Sequence, residues 1–191
     1  RVGEDTETNG FYAYFERVCL VQFTVGGDDY VVDAIALPHL DPLRSVFASP
    51  SVEKVFHAAE FDIISLKRDY RFRFAHLFDT MLAARTLGWG QFGLGSILQE
   101  RFGVTQDKSF QRVNWGQRPL SQEQLQYARL DTHYLPALRD LQVEELRARG
   151  RLRLAEEAFA RLCQTPASRR TLDGDGYLRL NGARDLDAQQ L

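Results

Sequence analysis

The sequence predicts an α/β domain built on a mixed β-sheet flanked by helices. Three observations predict it. Strand-like stretches crowd the first part of the chain. Two of them read as a hairpin across a glycine turn. After them a buried strand runs straight into a helix and further helices follow, with no internal repeat and no low-complexity stretch.

Taken in order, "RVGEDTE" reads as a short strand cut at its start. "RVCLVQFTV" and "YVVDAIAL" flank Gly26-Gly27-Asp28-Asp29, which gives the hairpin. Pro38 ends it. "LDPLRSVFAS" is a short helix with Asp41 as N-cap and Pro42 at the first helical position. "VEKVFHA" is a buried strand, and "AEFDIISLKRDY" follows as a helix with Lys67 and Arg68 facing water. "LFDTMLAARTLGW" reads as a helix capped by Asp79, and "LGSILQERFG" as one ended by Gly103. "RPLSQEQLQYARLDTHYL" opens with a capping box, Ser121 and Gln124, inside a Leu120/Leu125 staple. Pro136 predicts a kink or break just after Asp131. "LRLAEEAFARLCQ" is a further helix, and from Thr165 the texture turns polar and glycine-bearing, as in a linker.

With 191 residues the chain holds one domain with a real core, or one domain plus a tail. A net charge of −2 excludes a general polyanion binder, so any nucleic-acid contact must come from local basic clusters. Two cysteines are too few for a disulfide framework. No apolar run approaches membrane-spanning length and no signal peptide leads the chain, so the expectation is a soluble protein of a reducing compartment with no membrane contact.

Asp5 and Glu7 sit two apart on a strand and therefore point to one face, where like charges repel. Either something positive sits there or one of them holds a proton. Asp62 begins a helix straight after a buried strand, at the end of the sheet where α/β sites form. Asp131 lies four residues after Tyr127, on the same helix face. Four converging acids without a histidine or cysteine cluster suit oxygen-loving cations, Mg²⁺ or Mn²⁺, and not zinc. Two such ions roughly 3.5–4 Å apart would clamp the attacking and leaving oxygens of a phosphodiester.

"DTE" (Asp5 to Glu7), "HAAEFD" (His57 to Asp62) and "YARLD" (Tyr127 to Asp131) resemble the three motifs of the DEDD exonuclease superfamily in its DEDDy branch. The text between them, "KVFHAAEFDIISLKRD", "LFDT" and "NWGQRPLSQEQLQYARLDTHYL", is similar to the ribonuclease D family over residues 1–147. The resemblance implies a ribonuclease H-like, DnaQ-like fold. It implies two divalent cations, Mg²⁺ or Mn²⁺, on Asp5, Glu7, Asp62 and Asp131. Tyr127 would orient or help deprotonate the attacking water, orientation being favoured because a free tyrosine has pKa ~10. The implied reaction removes nucleoside 5′-monophosphates from the 3′ ends of single-stranded RNA. Thr6, Thr8, His57 and Phe61 would border the terminal nucleotide. His57 stands where many superfamily members have asparagine, which favours the ribonuclease D branch. Thr8 stands where the family often has phenylalanine or histidine, a departure that bears on wedging of the terminal base and not on catalysis. The implied location is the cytoplasm of a bacterium, or the nucleus for a eukaryotic relative.

Lys108, Arg112 and Arg118 precede the third motif in a loop-like stretch. A solvated face is the ordinary reading of such charges, and their position brings phosphate contact into play. Phe110 and Trp115 beside them are candidates to stack bases, Trp115 being equally readable as core. Residues 148–164 read as a C-terminal helix. "DGDGYLRLNGARDLD" in 165–191 resembles the start of a helicase-and-RNase-D C-terminal (HRDC) domain, which implies a nucleic-acid-binding domain missing from this chain. Two rival functions stay open: a single-stranded DNA exonuclease of the Werner type, and an inactive RNA-binding scaffold.

Overall fold

The computed structural model describes residues 1–37 and 39–168. Pro38 and most of the HRDC-like stretch, from residue 169 on, lie outside the described residues. Five strands form one sheet in the order β3-β2-β1-β4-β5. They are β1 (Val2–Thr8), β2 (Val18–Val25), β3 (Asp28–Asp33), β4 (Lys54–Phe56) and β5 (Leu77–Asp79). β1 pairs antiparallel with β2, and β2 with β3. β4 runs parallel to β1 and β5 parallel to β4. The sheet is therefore mixed, and the carboxyl ends of β1, β4 and β5 lie at one edge.

The hairpin turn is tighter than the sequence predicts. Val25 pairs with Asp28, so the loop is Gly26-Gly27 alone, at φ 63° and 95°. Positive φ at both central residues gives the turn a twist that matches the strands, and glycine adopts it without strain. β3 stops at Asp33, short of the expected strand end. The Asp33 carboxylate accepts from the amides of Ile35 and Ala36 at 3.0 and 3.1 Å, which bends the chain away.

The helices are α1 (Asp41–Ala48), α2 (Glu60–Tyr70), α3 (Thr80–Leu87), α4 (Leu94–Phe102), α5 (Gln122–His133), α6 (Leu135–Ala148) and α7 (Leu152–Cys163). Residue Asp41 falls inside α1 and Leu40 is the capping position, without a side-chain cap. The capping box of α5 is present in both directions. Pro136 starts a helix as well as ending one: it sits in the first turn of α6, where a missing N–H costs nothing, and the break falls at Tyr134. The expected helix 77–89 begins with a separate short strand, "LFD", before Asp79 caps α3 through Leu82 N at 2.8 Å.

Among the described residues the largest of three hydrophobic clusters spans the sheet and its helices. Phe47, Phe56, Ile63 and Leu66 are fully buried in it, and Phe159 of α7 packs on Phe78 of β5 with ring centroids 4.7 Å apart. Lys67 does not face water: its ammonium donates to the carbonyls of Cys163 and Thr165, both at 2.7 Å, and ties α2 to the end of α7. Arg68 pairs with Asp69 and Glu16 and is nearly buried. Gly3 lets α5 and α6 cross β1 closely, since a Cβ there would stand 2.9 Å from the Thr132 carbonyl.

Candidate active site

The sheet edge defined by the three parallel strand ends opens into a cleft of about 470 Å³. Asp5 and Glu7 reach it from β1, alternate residues on one face. Asp131 reaches it from α5, which packs across β1 and β2. Carboxylate oxygens of these three residues lie within 4.8 Å of one another. Asp62 comes from the first turn of α2 and lines the same cleft. Its Oδ1 accepts from Thr6 twice, from the amide at 3.1 Å and the hydroxyl at 2.5 Å. Asp62 is therefore no helix cap; it is anchored to β1.

Crowded and removed from water, these acids resist ionisation. Burial, reinforced by Asp62, Asp131 and Glu7, holds the Asp5 carboxyl well above the usual carboxylate range. Burial and the neighbouring Asp131 and Asp62 do the same to Glu7. Burial pushes Asp62 and Asp131 each up to about 7. The two answers to the charge problem at Asp5 and Glu7 are thus compatible: without a cation the crowded cluster favours its protonated form, and a bound cation would displace those protons. Among the described residues no salt bridge reaches any of the four. An all-oxygen donor set this close, uncompensated by basic side chains, fits hard divalent cations.

Tyr127 lies one turn before Asp131 and lines the cleft. Burial, then the charges of Asp131, Glu7 and Asp5, raise its phenol far above the ordinary tyrosine value, so it keeps its proton. Its ring is held between Phe110 and Trp115, with centroids 5.9 and 6.1 Å away. His57 meets Thr80 Oγ1 at 2.8 Å, and burial lowers its pKa to about 4, so the imidazole is neutral. Thr6, Phe61 and Lys108 also line the cleft, Phe61 with 51% of its surface exposed.

Trp115, Arg118 and Thr8 are placed elsewhere. Trp115 is 1% exposed and forms the floor under Tyr127, which is core packing and no channel wall. Arg118 is occupied: it grips Asp33 at 2.6 and 2.7 Å and donates to the carbonyls of Trp115, Gln117 and Cys19. Thr8 donates to Glu16 at 2.6 Å and is absent from the cleft lining. Phe110 is half-buried and packs against the Tyr127 ring.

The sequence reading passed over three polar residues. Gln106 Nε2 donates to Asp131 Oδ1 at 2.7 Å, and Gln111 hydrogen-bonds Tyr127 from the 3₁₀ turn Lys108–Arg112. Neither carries a sequence signal, because their partners are remote in the chain. Glu4 is fully buried beneath the site, and neither of its carboxylate oxygens has a hydrogen-bond partner. Burial raises its pKa strongly, Lys54 opposes this and Asp62 adds to it.

Fold and site together define an α/β domain with a carboxylate-lined cleft suited to divalent cations. A family model described as 3′-5′ exonuclease matches residues 1–146. Protein RRP6-like 3 of Arabidopsis thaliana is 39% identical over 144 residues, 75% of this chain and 16% of that protein. Exosome complex exonuclease RRP6 of Saccharomyces cerevisiae is 38% identical over 135 residues, 70% of this chain and 18% of that protein. The chain therefore spans less than a fifth of the length of these curated relatives. Escherichia coli RNase D, an exoribonuclease involved in structured RNA processing, superimposes with a TM-score of 0.79 at 28% identity, covering 85% of this chain and 44% of that one. Brucella melitensis NrnC with bound Mg²⁺ superimposes with a TM-score of 0.76 at 29% identity, covering 86% and 82%. The fold is ribonuclease H-like, and the chain belongs to the 3′-5′ exonuclease family.

Proposed function

We propose that this domain is a divalent-metal-dependent exoribonuclease that removes nucleoside 5′-monophosphates from the 3′ ends of single-stranded RNA. The observation that carries the reading is the convergence of Asp5, Glu7 and Asp131 within 4.8 Å in an open cleft that Asp62 and Tyr127 share. The description of Escherichia coli RNase D as an exoribonuclease involved in structured RNA processing supports the choice of RNA. In this reading Asp5, Glu7, Asp62 and Asp131 hold two cations, Mg²⁺ or Mn²⁺. Bound there, the ions would polarise the phosphate and make water more acidic. Tyr127 retains its proton, so it orients the attacking water by hydrogen bonding and is not its base. Water attacks phosphorus in line, and the O3′ of the preceding nucleotide leaves. Phe61 stacks the terminal base, neutral His57 borders it, and Lys108 meets a phosphate. The trimming would take place in the cytoplasm of a bacterium, or the nucleus of a eukaryote.

A second reading concerns substrate length. NrnC, which this chain covers by 81%, has been solved bound to pGG, which supports substrates as short as two nucleotides. The test is a time course on 5′-labelled single-stranded RNA, its DNA twin and pGG, with Mg²⁺, Mn²⁺ or EDTA. The expected result is a ladder shortening from the 3′ end, on RNA first and silent in EDTA. Equal or faster loss of DNA would move the function to DNA. With no ladder in either metal, and calorimetry showing no metal uptake, the domain would be a scaffold.

A further inference from the structure

The loop from Asn9 to Arg17, directly after β1, exposes three aromatic rings. Phe11, Tyr12 and Phe15 are 55%, 42% and 48% exposed. Large apolar rings clustered on a surface commonly mark a binding site. These rings are also held in place. The amides of Tyr12 and Ala13 donate to the Asn9 carbonyl at 2.9 and 3.0 Å, and the Arg17 amide to the Asn9 side chain at 2.9 Å. Tyr12 Oη donates to the Arg112 carbonyl at 2.9 Å. The Arg112 guanidinium lies over the Phe11 ring, 5.9 Å from its centroid.

That fastening fixes the location. Arg112 ends the 3₁₀ turn that contributes Lys108 and Gln111 to the cleft lining. The loop itself leaves β1 two residues after Glu7. The rings and the acids thus meet at the same short turn, whose Arg112 end holds the rings and whose Lys108 end lines the cleft. Flat apolar faces next to positive charge match the chemistry of single-stranded nucleic acid, whose bases stack and whose phosphates attract cations. Resting on the nucleic-acid reading of the cleft, we infer that Phe11 and its neighbours form a base-stacking platform for nucleotides upstream of the one being removed, with Arg112 beside a phosphate. The platform lengthens the footprint of a strand and leaves the terminal nucleotide to the acid site. Stacking tolerates any base, so the grip is independent of sequence.

The experiment is binding of a fluorescein-labelled 12-nucleotide single-stranded RNA and of labelled pGG, followed by anisotropy in EDTA, where no strand is cut. Phe11→Ala is expected to lower the 12-mer to pGG affinity ratio roughly 10-fold, with the salt dependence of 12-mer binding unchanged. Arg112→Ala is expected to make that salt slope shallower. Tyr30→Ala, removing an exposed ring on the distant β3 edge, is the control and leaves both affinities unchanged. Thermal melts establish that each variant folds, and Phe15→Ala serves if Phe11→Ala does not. An unchanged ratio would overturn the platform, as would an equal loss for both ligands. Self-association of the wild type that Phe11→Ala abolishes, with RNA affinity untouched, would make the patch a contact between chains and overturn it too. Because strand binding is read without turnover, failure of hydrolysis leaves this inference separately testable.

Discussion

Thr6 gives both its amide and its hydroxyl to a single oxygen of Asp62. The contact joins residues 56 apart and fixes the first turn of α2 against the end of β1. It also donates to the charged form of a buried carboxylate, the state a cation requires. Thr6→Val keeps the shape and the amide bond but loses the hydroxyl. We expect metal affinity or turnover to fall roughly 10-fold, with little change in melting temperature. Calorimetric titration with Mn²⁺ checks this. Unaltered affinity and turnover would show that the amide alone holds Asp62.

Acids assembled for a cation cost stability when the cation is absent. Asp131 is nearly buried and sits among Asp5, Glu7 and Asp62. Asp131→Asn retains an oxygen for the Gln106 amide and removes a repelling charge. It is expected to abolish turnover while raising the melting temperature of the metal-free protein by a few degrees, on the order of 1 kcal/mol. Wild-type activity in this variant would refute the four-acid site. A lower melting temperature would refute the repulsion argument.

The same acids set the pH profile. Unfolded carboxyls titrate near 4, whereas Asp62 and Asp131 in the fold titrate at about 7. Between those values the folded state binds more protons than the unfolded state, so stability falls as pH rises. Their contribution is fully present below pH ~4 and lost as pH passes through about 7. A divalent cation bound there would replace the protons and reverse the trend. Melting curves in EDTA should show a decline from pH 5 to 8, and the rise in melting temperature on adding Mg²⁺ should be larger at pH 8 than at pH 5. A metal effect independent of pH would place the cation elsewhere.

Glu4 offers a further test, because it does not line the cleft and no described residue hydrogen-bonds it. A buried carboxyl without a hydrogen bond costs roughly 1–3 kcal/mol, and the Lys54 charge offsets only part of this. Glu4→Leu, similar in size, is expected to recover about 1 kcal/mol in urea unfolding, most clearly above neutral pH. A destabilised variant would mean that Glu4 has a role its surroundings do not explain.

What the sequence revealed follows from how local each signal is. The Ser121/Gln124 box and the Asp79 cap act within one helical turn, and both stand where the sequence places them. The acids were legible because strand alternation and helix spacing fix their directions. The engagement of Arg118 is not legible in the sequence because its partner, Asp33, is 85 residues away, and only the folded chain brings the two together. Trp115 was ambiguous because burial cannot be read from residue type in a loop. β5 escaped because three apolar-to-acidic residues running into a helix carry no period of their own. The exposed rings of residues 11–15 did have a signal, aromatics bunched after a motif strand, but it reads equally as core.

Asp79 does more than cap α3. Its second oxygen accepts the amide of Ala59 at 2.7 Å, at the start of α2, just after Ala58 takes φ 60°. A non-glycine residue in that region carries strain that neighbouring contacts must hold. One carboxylate from β5 thus fixes the strand-to-helix corner that aims Asp62. Asp79→Asn keeps one acceptor oxygen and loses the other. Losing a cap costs about 1–2 kcal/mol, while a 1 Å displacement of a positioned group costs on the order of 100-fold in rate. We therefore expect a modest shift in the urea midpoint with a fall in kcat of at least roughly 10-fold, measured well below the melting temperature and at saturating Mg²⁺. The displacement also predicts weaker Mn²⁺ binding, which simple destabilisation does not. If kcat and metal affinity stay at wild-type values while stability drops, Asp79 supports the fold and does not aim Asp62.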